Sequence, residues 1–333
     1  MDGPQPQFDC VYYDVLGHTT TVPLSKSIDA NATALARGAM IRHILSIVKP
    51  AKLTSGCGLF DFGDSLNVEL PDGIEIDSAY GRDYTTWKSG CHDIDNAQTG
   101  PWGACFKPLG NCKISGLHLQ GPGYGPDGSW QQTVFGWIGD KTPGTQAAPS
   151  KFEAELIDCT VDEGTFPLSI WAGYGNAMEL FRVFSNSGRW VLTGGCSGGR
   201  DACYVTAIEC AFVVDSAKSR HIGNQGLRAF GAALRGGSHQ FDGCTFLIKG
   251  EGTLEAAGGI WLPTTDTTQG DREAGSPYTM VTVSRTTFGV NGNGAKRSFD
   301  IEAGSGSVTY DKASCTGSGK DGSLVVSGNV EAR

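Results

Sequence analysis

The chain has 333 residues, 49 of them glycine, and carries 26 basic against 35 acidic side chains for a formal net charge of -9. That balance argues against a nucleic-acid phosphate backbone as partner, because such binders present a basic surface. No apolar run approaches the roughly 18 residues of a membrane span, and the opening MDGPQPQFDCVYYDV has neither the basic start nor the apolar stretch of a signal peptide.

Residues 1–50 read as an N-terminal segment, with a short strand expected at CVYYDV and Pro4, Pro6 and Pro23 as punctuation. From Asn31 to Val48 the apolar spacing turns helical, placing Leu35, Ile41, Ile44, Leu45 and Val48 on one face before the stop at Pro50. The sequon Asn31-Ala32-Thr33 sits at the helix start and is discounted as a glycosylation site. Beyond it, Leu66, Val68, Leu70, Ile74 and Ile76 alternate with Asn67, Glu69, Glu75 and Asp77 around the turn PDG.

From about residue 150 an inexact repeat takes over: AELIDCTVDEG, MELFRVFSNSG, VTAIECAFVVDS, HQFDGCTFLIKGEG and MVTVSRTTFGVNG each give one period-2 strand and a turn. A shorter strand follows most copies (PLSIWAG, RWVLTGG, GAALRGG, GGIWLPT, SFDIEAG), and the spacing is 24 residues from Cys159 to Val183 and 27 from Val183 to Cys210. Short strands at fixed spacing, with no long helical pattern between them, predict an all-β, right-handed single-stranded parallel β-helix, a solenoid spanning 51–333. The helix of the N-terminal segment is expected to cap its open apolar end. Two stretches, 120–150 and 263–277, are rich in turn formers and read as loops inserted on the surface.

Eleven cysteines leave at least one outside any intramolecular disulfide. Cys159, Cys210 and Cys244 occupy matching inward positions and read as a core stack. Cys196 and Cys203 flank SGGRDA at a spacing that permits a bridge without requiring one. No CxxC or HExxH is present, so a structural zinc site is not expected.

The order helix, AK.T, G.FDFGDS, LPDG, GRD.TT and then GNCKISGLHLQG resembles the opening of the pectate-lyase-like superfamily of right-handed parallel β-helices. That superfamily holds polysaccharide lyases, glycoside hydrolases, epimerases and phage tail spikes, so the resemblance implies an architecture and an extended-glycan partner more than a reaction. The chain lacks the GHG, paired DD and RIK of polygalacturonases, the DPHE of epimerases and a lyase RxPxxR.

Aligning the second strands on Ile170, Leu192, Leu234, Ile260 and Ile301 puts Trp171, Thr193, Arg235, Trp261 and Glu302 in one outward column. Indoles beside a cation suit sugar stacking with an anionic substituent held by the guanidinium; a secondary core under the inserted loops is the equal alternative. On the first strands Asp158, Arg182, Glu209 and Asp242 form a column that either holds Ca²⁺ through Asp158, Glu209 and Asp242 or, more simply, makes a charge ladder. The turn SAKSRHIGNQGLRAFG gathers basic residues, of which His221 or Arg228 would be a lyase base and Arg235 the stabiliser of the enolate, against a plain solvated turn.

Two functions follow. One is a carbohydrate-directed protein that binds, and in the lyase or hydrolase case cleaves, an extended polysaccharide along one flank. The other is a non-enzymatic structural or adhesive component of a phage particle or cell surface. Both imply an extracellular or virion-associated setting, and the spike reading implies a homo-oligomer or a particle assembly.

Overall fold

The computed structural model describes residues 10–14, 16–22, 30–63, 68–90, 104–125, 132–137, 153–171, 176–195, 203–218, 228–250, 254–264 and 276–333. These are built almost wholly from short strands joined in parallel, with each strand bonded to the one three places further along the chain. Three ladders result. The first runs through Lys52–Ser55, Ile74–Ser78, Cys112–Ser115, Glu153–Ile157, Asn176–Phe181, Cys203–Ile208, Ser238–Asp242 and Met280–Ser284. The second runs through Gly58–Asp61, Thr85–Lys88, His118–Gln120, Thr160–Gly164, Phe184–Ser187, Ala211–Asp215, Thr245–Lys249 and Thr287–Asn291. The third runs through Val68–Leu70, Ala104–Pro108, Thr133–Trp137, Phe166–Trp171, Trp190–Gly195, Arg228–Arg235 and Ala256–Leu262. The long strand Ser298–Tyr310 continues both the first and third ladders, pairing with Met280–Ser284 through one half and with Ala256–Leu262 through the other, and Val326–Ala332 pairs in turn with both halves of it.

Period-2 alternation fixes which side chains meet inside. On the second ladder Phe212, Phe246 and Phe288 stand opposite one another in register and stack, with both neighbouring centroid distances 5.0 Å. Such stacking adds roughly 0.5–1.5 kcal/mol per pair to the area each ring buries.

The corner between the first and second ladders repeats one backbone device. Gly116, Asp158, Arg182, Glu209, Gly243 and Arg285 all have positive φ, from 48° to 66°. A left-handed residue turns the chain sharply enough for the next side chain to point inward. Those next residues include the expected cysteine stack. Cys159, Cys210 and Cys244 are buried, and their thiols reach the carbonyls of Ile114, Leu180 and Ala207 at 3.5, 3.4 and 3.3 Å. Burial pushes the Cys159 thiol up to about 11, so it stays protonated and inert. Thr286 follows Arg285 at the same place and turns its hydroxyl to the Ser284 carbonyl.

At the N-terminal end, helix α1 (Ala30–His43) continues as a wider π turn, Ile44–Val48, and closes at Lys49, whose left-handed backbone sends its N–H to the Ile44 carbonyl. The face against the sheets is Ala34, Gly38, Ile41 and Leu45, four positions spaced as one helical stripe. Of the expected apolar face, Ile41, Ile44 and Leu45 are buried, whereas Leu35 and Val48 are 48% and 38% exposed. The small residues set the contact instead: a Cβ on Gly38 would lie 1.9 Å from the Asp61 carbonyl oxygen. Strands Cys10–Tyr13 and Thr19–Val22 add an antiparallel hairpin beside Lys52–Ser55. No helix among the described residues is long and apolar enough to cross a membrane.

Candidate functional site

The outer flank of the third ladder holds a second apolar cluster, separate from the interior: Phe166, Trp190, Phe230, Ala233, Ala256, Trp261 and Phe299. Its origin is a bend at which Val191 and Leu192 both point inward. The outward residues on either side of the bend therefore converge, and Trp261 stacks on Phe230 at 4.6 Å although its partner in register is Ala233. Guanidinium groups pack over the rings, Arg189 at 4.6 Å from Trp190, Arg228 at 5.2 Å from Trp261, and Arg235 at 5.7 and 5.9 Å from the two indoles.

This geometry revises the expected Trp/Arg column. Thr193, Trp261 and Glu302 do share one column, through Thr193 opposite Ala233, Ala233 opposite Trp261 and Trp261 opposite Glu302. Trp171 stands instead opposite Gly195, and Gly195 opposite Arg235, two residues further along. The apolar residues used for the alignment slip in the same way, since Ile170 lies opposite Gly194, not Leu192. Trp261 is 2% exposed and Arg235 5%, so both are packed in the cluster. Trp261 donates a hydrogen bond to Glu302, whose carboxyl is raised by burial and held by Arg297 at 3.1 Å.

The acidic corner column is a run of ion pairs. Arg182 grips both carboxylate oxygens of Asp158, at 2.6 and 2.7 Å, and holds that carboxyl below its usual range. Asp242 stands one residue before the corner position, which Gly243 takes, and pairs with Arg285 and Ser284. Among the described residues no three His, Cys, Asp or Glu side chains converge as metal ligands would. Of the basic turn, Arg220 and His221 lie outside the described residues, Arg228 and Arg235 belong to the aromatic cluster, and His239 is buried in the interior. Burial pushes the His239 imidazole down to about 4, and its Nε2 donates to the Gly236 carbonyl at 2.8 Å. The expected insertions at 120–150 and 263–277 fall largely outside the described residues, but within the first of them Thr133–Trp137 is a largely buried strand of the third ladder and not a surface loop.

A site that pattern reading missed lies on the outer face of the first ladder. Glu75, Lys113, Glu155 and Glu179 stand opposite one another on four successive rungs. Beside them the short side chains Gly73, Asn111 and Ala177 leave a trough of about 510 Å³, bordered also by Glu153. Lys113 pairs with Glu155 at 2.9 Å and is held above the usual lysine range by that bond. With rungs about 4.8 Å apart, the charged row is roughly 14 Å long. Its residues sit at alternate positions of strands where the apolar partners dominate any pattern search, and their neighbours along the ladder are 24 or more residues away in the chain.

No family model matches this chain, and no curated protein or solved structure matches it.

Proposed function

We propose that the chain is a right-handed parallel β-helix of the pectate-lyase-like kind that binds an extended neutral or amino-sugar polysaccharide in the trough of its first ladder. The architecture is supported by the three-strand pairing period and by the strong right-handed preference of crossovers between parallel strands. The ligand is supported by one observation, the row Glu75, Lys113, Glu155 and Glu179 along an open trough. Carboxylates accept strong hydrogen bonds from sugar hydroxyls and ammonium groups, and they repel a uronate or sulfate. A uronate lyase has less to rest on, because Arg228 and Arg235 are committed to the aromatic cluster.

Glu155 and Glu179 face one another on neighbouring rungs. In a hydrolase these two carboxyl groups would serve as nucleophile and acid/base of retaining glycoside hydrolysis, a chemistry that needs them about 5 Å apart. The reading is tested by incubating the protein with neutral, amino-sugar and uronate polysaccharides while following bound protein, new reducing ends and ultraviolet absorbance. Binding and reducing ends with neutral or amino sugars, abolished in Glu179→Gln, are expected. Unsaturated products would point to a lyase, and absence of binding across the panel to the structural or adhesive role.

A further inference from the structure

The outer face of the second ladder carries a constellation that the glycan trough does not use. Thr86, His118 and Thr160 stand in one outward row, and Lys88, Gln120 and Asp162 in the next, two residues along the same three strands. His118 Nε2 lies 2.7 Å from Asp162 Oδ1, a diagonal contact across neighbouring rungs, and His118 Nδ1 lies 3.5 Å from Thr86 Oγ1. A carboxylate only accepts, so Nε2 carries a proton, and in the neutral ring Nδ1 then presents its lone pair to the Thr86 hydroxyl. The imidazole and carboxylate are 22% and 16% exposed, which fixes the ring yet leaves it reachable from solvent. Hydroxyl, imidazole and carboxylate in series are the parts of an activated nucleophile with an oriented base.

We propose that Thr86, His118 and Asp162 hydrolyse carboxylic esters. The Thr86 hydroxyl gives its proton to His118 Nδ1 while its oxygen bonds to the ester carbonyl carbon. The tetrahedral adduct collapses, its C–O bond to the alcohol breaks, and the leaving alkoxide takes the proton back from His118. Water, deprotonated by His118, then cleaves the acyl-Thr86 ester, releasing a carboxylic acid and restoring the hydroxyl. Lys88 follows Thr86 by two residues on the same face, where a cation stabilises the oxyanion. Leu59, exposed and next to Thr86 in its row, offers an apolar seat for a short acyl group. Asp162 acts as a positioning residue, holding the tautomer that leaves Nδ1 free to accept. None of this rests on the glycan reading.

The test uses the full chain with 4-nitrophenyl acetate, followed by nitrophenol release and by mass spectrometry of the acid-quenched protein. Turnover above buffer with an acetyl group on Thr86 is expected. Thr86→Val and His118→Ala should each lose roughly a hundredfold or more, while Thr86→Ser keeps turnover. Asp162→Asn should lower kcat with KM unchanged. A wild-type rate equal to buffer overturns the proposal. So does a His118→Ala protein with undiminished rate, or equal loss in Thr86→Ser and Thr86→Val.

Discussion

Trp261, for which an exposed stacking platform and a secondary core were equal readings of the sequence, is the centre of an aromatic cluster on the outer flank, in contact with Phe230 and Trp190 and hydrogen-bonded to Glu302. Trp261→Ala should therefore cost about 3–5 kcal/mol, read as a lowered denaturation midpoint; unchanged stability would return the indole to the surface. His239 makes a pH prediction. Its folded imidazole titrates near 4 because of burial, against about 6.5 in an unfolded chain. Between those values the unfolded chain binds the extra proton, so folding stability falls as pH drops through this window. The slope is up to about 1.4 kcal/mol per pH unit, and the stability is fully present above about 6.5. Thermal melts of wild type and His239→Gln from pH 7 to 4.5 check this: the variant's curve should be flatter, and parallel curves would refute it.

Elements were easier to read than their registration. The alternating strands of the repeat all formed, because a strand's inward set is written locally as every second apolar residue. Pairing between strands is not local, and it failed where the local rule breaks. At the bend of the third ladder two successive inward residues, Val191 and Leu192, interrupt the alternation. The next inward position on that strand is Gly194, lying between Ile170 and Leu234 with no side chain to mark it. An alignment on apolar residues therefore chose Leu192 and slipped by two. The N-terminal helix was legible in part for a related reason: Ile41, Ile44 and Leu45 are buried as the pattern reads, but the contact face also takes in Ala34 and Gly38, which carry little apolar signal, while the conspicuous Leu35 is exposed. Gly38→Ala isolates this. Helix propensity alone favours alanine by about 1 kcal/mol, but the new methyl would overlap the Asp61 carbonyl. A net destabilisation of roughly 1–3 kcal/mol is expected by chemical denaturation, and a stabilised variant would show that the helix does not seat against Gly58–Asp61.

At the scale of the whole molecule, the ladders bring residues far apart in sequence into one row, and that is how the trough escaped notice. Glu75, Lys113, Glu155 and Glu179 span 104 positions of the chain yet occupy four neighbouring rungs. The net charge of -9 adds a longer-range field of the same sign. Polyanions are thus disfavoured both at the trough and on approach. The second contribution weakens as salt shortens the screening length from about 10 Å at 0.1 M to about 3 Å at 1 M.

The most direct test of the glycan reading is calorimetric titration with a neutral oligosaccharide and with its uronate counterpart of the same linkage, on the wild type and on Glu155→Gln and Glu179→Gln. The neutral ligand should bind the wild type at least tenfold more tightly than the uronate, and the neutral affinity should fall in both variants with the melting temperature unchanged. Equal or tighter binding of the uronate, or neutral binding indifferent to both substitutions, would contradict it.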